Sequence, residues 1–306
     1  MNLSALFKPA ESLGGRFFLV GMLPTYAAAV FLAVLVWAGA PGPLHFTAAW
    51  RTASALGLGE VLLFALLITL VAFLLHPLQQ PMLRLLEGYY WLPWLAAPGR
   101  WYHGHKRGKL AKASAPRTGS PAPDQQTVDR MGEAYQRLRL RYPAPERLRP
   151  TLLGNVLAAA ESTAGAAYGF EAVVAWPRLF PLLSEPVRTI VDDRRNQIDL
   201  AARITFTGAT TSLVAVVLLS RSGWWWLLGL APAALAVLAY TAAVQAAVGY
   251  GEALRVAFDL HRFDLLDALR LPLPADPSAE QSANTELCRF WRQGVALDGI
   301  QYRHPS

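Results

Sequence analysis

Residues 200–248, LAARITFTGATTSLVAVVLLSRSGWWWLLGLAPAALAVLAYTAAVQAAV, decide the fold. Beyond Arg203 this stretch holds one charged residue, Arg221, and it lies in the break Arg221-Ser222-Gly223 between two apolar blocks. Each block is about 20 residues long, enough to cross a hydrocarbon layer of roughly 30 Å at about 1.5 Å per helical residue. A break this short turns the chain straight back. The blocks therefore read as an antiparallel pair of spanning helices, 200–220 and 224–248, joined by an external turn at 221–223.

Working outward, two more apolar blocks come earlier. Residues 17–39 contain no Asp, Glu, Lys or Arg, and residues 53–75 contain one acid, Glu60, before His76-Pro77. They read as a first hairpin around an external loop at 40–52. Ala38-Gly39-Ala40 matches a cleavage-site pattern, but the run before it is longer than the roughly 7–15 residues of a signal-peptide core. Composition agrees with a membrane class: of 306 residues 54% are hydrophobic and 16% charged, against roughly 25% charged in soluble domains. This excludes a disordered chain and argues against an ordinary soluble enzyme. The lone cysteine, Cys288, excludes an intramolecular disulfide.

Orientation follows from flanking charge, because cytoplasmic loops carry the excess of Lys and Arg. Only Arg51 and Arg221 of the 28 basic residues fall in the two external connections. Both termini, 1–16 and 249–306, are then cytoplasmic, in the inner (plasma) membrane. Tryptophan marks the same layout, with Trp37, Trp50 and Trp224 to Trp226 at the outer boundary and Trp91, Trp94 and Trp101 at the inner one.

Residues 76–123 read as an interfacial segment and a basic linker. Pro81 to Ala97 is aromatic, broken by Pro93, and too polar at Arg84 and Glu87 to cross. It lies in the interface or is buried in the cytoplasmic part; spacing does not separate the two. From Arg100 to Arg149 there are twelve basic residues and four acids, a net of +8 against +7 for the whole chain. Arg100, Lys106, Arg107, Lys109, Lys112 and Arg117 come first, with no acid among them. They are candidates for contact with anionic lipid headgroups, although setting topology explains the same charge without a ligand. Nucleic acid is disfavoured as a partner, since no binding motif accompanies the charge. Ala113 to Pro123 reads as a flexible linker.

Residues 124–199 read as a helical cytoplasmic region in which Thr151 caps one helix and Ser184 starts another. Arg188, Asp192, Arg195, Asp199 and Arg203 alternate in sign along one face and continue into the third span as a stalk. Glu252, Arg255, Asp259 and Arg262 repeat the alternation below the fourth span, where Gly249 and Gly251 allow a hinge. Both ladders read as solvated faces. The segments Leu153-Gly154-Asn155, Glu161, Tyr168-Gly169, Trp176-Pro177-Arg178-Leu179, Ala257 to Asp264 (AFDLHRFD) and Leu271 to Pro274 (LPLP) resemble uncharacterised multi-pass integral membrane proteins of actinobacteria. The resemblance covers roughly residues 140 to 275 and implies one unit formed by the stalks and the segment before them; it implies no activity. Ser278 with Gln281 three residues on matches a capping box for a last helix.

Few positions offer chemistry. Glu60 is an acid within a span, and such acids are costly unless they face water or a bundle interior. Thr207, Gly208, Thr211 and Ser212 line one face of the third span, opposite an Ala239, Ala243, Ala247, Gly251 stripe on the fourth. Helix packing explains both stripes better than a hydrated passage does. Gln245 and Tyr240 are the polar exceptions. His103-Gly104-His105 and His261 with Asp264 lack the further ligands that a metal needs, and no phosphate-loop, zinc-protease or nucleophile-elbow pattern occurs. No catalytic, cofactor-binding or metal-binding set is nominated. The expectation is an all-α protein of four transmembrane helices in two hairpins with a mainly helical cytoplasmic domain. It would act as a non-enzymatic membrane-anchored scaffold that self-associates and binds a cytoplasmic protein. The alternative is an oligomeric channel or transporter with Glu60 and the Thr207/Thr211 face lining a passage, and a membrane enzyme is third.

Overall fold

The computed structural model describes residues 22–115 and 124–294. Every regular element among them is helical: α1 Leu23–Trp37, α2 Phe46–Ala55, α3 Leu58–Leu75, α4 Gln79–Glu87, α5 Pro93–Ser114, α6 Gln125–Arg141, α7 Leu152–Thr163, α8 Ala172–Leu179, α9 Glu185–Leu218, α10 Leu230–Ala268 and α11 Pro277–Gln293, with short 3-10 turns between some of them. The described residues fall into two compact units. One takes residues up to 84 and 199–243; the other takes 85–198 and 244 onward. α9 and α10 each begin or end in one unit and run without a break into the other.

Among the described residues three helical segments are long and apolar enough to cross a membrane: α3, α9, and Gly223–Ala268, which contains α10. The fourth expected span, 17–39, is seen only from residue 22, as the 15-residue α1. Residues 17–21 lie outside the described residues. The expected span 53–75 starts later than its composition suggested. Leu56 is extended, so Phe46–Ala55 is a helix of its own and α3 begins at Leu58. The Glu60 carboxylate accepts the Gly57 N–H at 2.9 Å, a local cap that satisfies a donor at the helix start. The small residues lie at close approaches, but not as one stripe against the other: Gly208 meets Pro232 and Ala236, and Gly251 meets Ala160. A Cβ on Gly208 would press against the Pro232 carbonyl and Ala236, and Ala239, Ala243 and Ala247 are buried. The Ser212 hydroxyl donates to the Gly229 carbonyl at 2.7 Å, joining α9 to the turn before α10.

The second unit is built around the polar halves of α9 and α10. Its core joins Ala160 of α7, Phe170, Leu179 of α8, Leu254, Phe258 and Leu265 of α10, and Leu287 of α11. Phe258 is fully buried, with Phe170 and Trp176 at ring separations of 5.9 and 6.3 Å. Burying side chains of this size contributes about 1.5–3 kcal/mol each. Here Gly249 and Gly251 are not a hinge. α10 is continuous through them; a Cβ on Gly251 would press on Ala160, whereas one on Gly249 would make only ordinary contact with Arg194.

Two further expectations give way. The basic linker is helical through Ser114 in α5, which packs along α6; Arg117 and residues 116–123 lie outside the described residues. The last helix starts before its expected cap. Asp276 accepts from the N–H groups of Ser278 and Ala279, and Pro277 occupies the first turn, where its missing N–H costs nothing. The charge ladders are also less solvated than their alternation suggested. Arg188 turns to the carbonyls of Phe180 and Pro181, Asp259 accepts the Tyr168 hydroxyl at 2.8 Å, and Arg262 pairs with Glu280 of α11 at 2.8 Å.

Candidate functional site

A polar concavity lies in the second unit, between the start of α5, the turn after α4, and the loop 142–151 that leads into α7. Its position is set by close backbone approach. Pro150 fits between Gly88 and Gly99, where a Cβ on either glycine would collide with it, and Gly88 adopts φ +89°, a conformation that favours glycine. Gly154 packs on the Glu87 carbonyl just as tightly. Asn155, fully buried, then holds the loop: its Oδ1 accepts the Arg149 N–H at 2.8 Å, and its Nδ2 donates to the Arg149 and Thr151 carbonyls at 2.9 and 2.7 Å. Thr151 caps α7 as expected, accepting the Gly154 N–H at 3.1 Å.

The resulting cavity measures about 520 Å³, and Arg100, Arg147, Arg149, Glu146, Glu161 and Tyr89 are among its lining residues. Arg149 is held in place, its guanidinium 3.9 Å from the Tyr89 ring centre and an Nη2 donating to the Tyr89 hydroxyl at 2.9 Å. Neither Arg100 nor Arg147 has an ion pair among the described residues. Glu161 keeps surface open to the cavity but is closely surrounded. Loss of hydration raises its carboxyl above the ordinary range, against the opposing pull of Arg149, Arg195 and Arg147. Such a site can hold an anion and has one carboxyl biased toward its neutral form.

The other expected positions scatter. Lys106, Lys109 and Lys112 are exposed on α5, with Lys106 4.6 Å over the Tyr102 ring, while Arg107 Nε donates to the Pro143 carbonyl at 2.9 Å. Of the five basic candidates among the described residues, Arg100 lines the cavity and the other four do not. Thr207 and Thr211 line a separate cleft of about 420 Å³ in the first unit, where Pro24, Ala27, Phe31 and Leu235 make the walls almost wholly apolar. Glu60 is exposed at the start of α3 and is not part of that cleft; Gln245 is exposed on α10.

His103 is buried against the Tyr142 hydroxyl at 3.4 Å, and burial followed by the nearby Lys106 charge lowers its pKa. His105 stacks on Trp101 at 6.0 Å. Among the described residues no three His, Cys, Asp or Glu side chains gather to hold a metal ion. Burial pushes the Cys288 thiol up to about 11, which leaves it inert as a nucleophile at neutral pH.

One constellation was missed in the sequence. His261 Nε2 faces both the Ser184 hydroxyl at 3.2 Å and the Ser184 N–H at 3.4 Å, and its Nδ1 meets Asp264 at 2.6 Å. A backbone N–H can only donate, so Nε2 accepts and the proton lies on Nδ1. The order serine, imidazole, carboxylate is that of hydrolytic triads. Here, however, the Nε2 lone pair is also directed at a backbone donor at the open start of α9, so the imidazole serves as a cap that ties α9 to α10. Nothing in the spacing of residues 184 and 261 announces it. No family model, curated protein or solved structure matches this chain.

Proposed function

We propose that the protein is a four-span inner-membrane protein with both termini in the cytoplasm, whose second unit is a cytoplasmic platform. It acts as a non-enzymatic, membrane-anchored scaffold that self-associates and holds a protein partner. The observation that carries this reading is the continuity of α9 and α10. Each supplies a membrane-length apolar stretch and, without a break, polar-half residues of the second unit, with Leu254, Phe258 and Leu265 of α10 in its core. A helix that belongs to both units transmits position between a bilayer and a platform, which suits anchoring.

The charge bias and the tryptophan positions support the orientation. The outward apolar faces of α9 and α10, with Leu213, Val214, Val217, Val237 and Leu238 exposed, support self-association through the third and fourth spans. An apolar lining around Thr207 and Thr211 supports packing, or a hydrophobic occupant, over a hydrated passage.

Crosslinking in native membranes tests the scaffold reading, and the expected product is a self-adduct together with a recurrent partner adduct. Absence of both adducts refutes it. An epitope tag placed within residues 116–123 tests the orientation. Protection from protease added to intact cells is expected, and digestion refutes the cytoplasmic assignment.

A further inference from the structure

The cavity beside Asn155 is more elaborate than an anchor or a platform requires. Three guanidinium groups reach it from two separate elements, Arg100 from α5 and Arg147 and Arg149 from the loop before α7. Planar guanidinium forks match the paired oxygens of phosphate, and neither Arg100 nor Arg147 makes an ion pair among the described residues, although Glu161 lies close enough to Arg147 to feel its charge. The third, Arg149, is oriented by Tyr89 and by the buried Asn155 clamp, so one wall is already in place before any ligand arrives. A volume of about 520 Å³ exceeds the needs of a bare inorganic ion and falls within the roughly 300–1,000 Å³ typical of small-molecule sites. Tyr89 and Trp91 on the rim are half exposed, and a ligand with an apolar or ring-bearing part beyond its phosphate would meet them first.

We propose that this cavity binds a phosphate-bearing organic ligand, with Arg100 and Arg147 supplying the free forks and Arg149 the fixed one. The shared chemistry is a phosphate mono- or diester. Its source is either an anionic phospholipid headgroup or a soluble phosphate ester. Only the lipid source rests on the proposed orientation, with the second unit against the inner leaflet. Glu146 and Glu161 line the same space, so the three guanidinium groups exceed the carboxyls there by one.

The test uses the full chain in two arms. In phosphatidylcholine nanodiscs, glycerol 3-phosphate is titrated, with inorganic phosphate in parallel, and binding is read by calorimetry. In detergent, phosphatidylglycerol is titrated against phosphatidylcholine, and lipid retention is read by native mass spectrometry. The variants are wild type, the double substitution R100A/R147A, and R137A as a control for loss of a surface charge on the exposed face of α6, where Arg137 pairs with Glu133.

The expected result is saturable binding in at least one arm, a loss of tenfold or more in R100A/R147A with an unchanged thermal transition, and affinity within twofold of wild type in R137A. Binding only to phosphatidylglycerol assigns the lipid source; binding of glycerol 3-phosphate in phosphatidylcholine assigns the soluble one. No binding in either arm overturns the proposal, and so does equal loss in R137A, which would mean that net charge alone is felt. The soluble arm is blind to membrane orientation, so failure of the cavity and failure of the proposed topology read out separately.

Discussion

Replacing Asn155 by alanine isolates the clamp from everything around it. The wild-type side chain makes three hydrogen bonds and is fully buried. The Thr151 carbonyl keeps a second donor, the Asn155 N–H at 3.1 Å, so only the N–H and the carbonyl of Arg149 are stranded. A buried polar group left unpaired costs about 1–3 kcal/mol. Arg149 is half-buried and water reaches part of its backbone, which places the sum near the lower end, about 2–3 kcal/mol. For a unit of this size that corresponds to a fall in Tm of about 4–12 °C.

Hydrogen exchange on the full chain gives the local readout: the Arg149 amide should exchange slowly in wild type and rapidly in N155A. The isosteric N155D separates the two halves of the clamp. It keeps the acceptor for the Arg149 N–H and sets a carboxylate oxygen against two carbonyls. It should therefore be at least as destabilised as N155A while the Arg149 amide stays protected. A destabilisation under about 0.5 kcal/mol in N155A, or an Arg149 amide equally protected in wild type and N155A, would refute the clamp as the loop's organiser.

Other expectations follow from packing and charge. Gly132 lies in α6 with nothing near its missing Cβ, so G132A should stabilise by roughly 0.5–1 kcal/mol; G154A, whose Cβ would land on the Glu87 carbonyl, should destabilise strongly, and thermal unfolding of the pair checks both signs. Removing Arg262 leaves Glu280 buried without its partner, at a cost of roughly 3–5 kcal/mol. The double substitution R262M/E280L should recover most of that loss, and a double variant as unstable as R262A counts against a desolvated pair. Glu161 holds its proton more firmly folded than unfolded, so its contribution is greatest at low pH and is lost as pH rises from its usual value near 4.5 through the raised folded value. The stability of E161Q relative to wild type should therefore increase with pH across that window, and a flat difference would contradict the assignment.

The membrane-length helices were legible because length and apolarity are properties of a window of sequence, and no tertiary contact is needed to create them. The Thr151 cap and the helix start after Ser184 were legible for a similar reason: the signals that begin a helix are local. What escaped was set by contacts between distant segments. Asn155 resembles any polar residue in a helix until the loop 149–151 folds over it. Gly251 suggested half of a hinge because a sequence does not show that Ala160 presses against it. The charge ladders looked solvated because alternation along one helix is visible, whereas the Arg262–Glu280 and Tyr168–Asp259 links to other elements are not. The start of α3 was misplaced since Ala53 to Leu75 is apolar throughout apart from Glu60, and hydropathy does not register the extended Leu56.

The basic segment 100–149 poses a choice between two causes, and the structure makes them separable. Topology depends on the number of Lys and Arg near a span and is indifferent to where each one points. A purely topological segment has no use for a loop held by a buried asparagine and by three glycines whose Cβ atoms would collide with their neighbours. Ligand recognition has such a use, because a fork misplaced by an ångström loses its paired oxygens. Charge-conserving replacement divides the two causes. R100K/R147K retains every positive charge but replaces each planar fork by a compact ammonium that cannot make the same two parallel bonds. If topology alone explains these residues, the variant should match wild type in protease accessibility and in phosphate-ester affinity. Ligand binding by the cavity requires unchanged accessibility together with a several-fold loss of affinity, and equal affinity in both proteins would leave Arg100 and Arg147 as topological charge and nothing more.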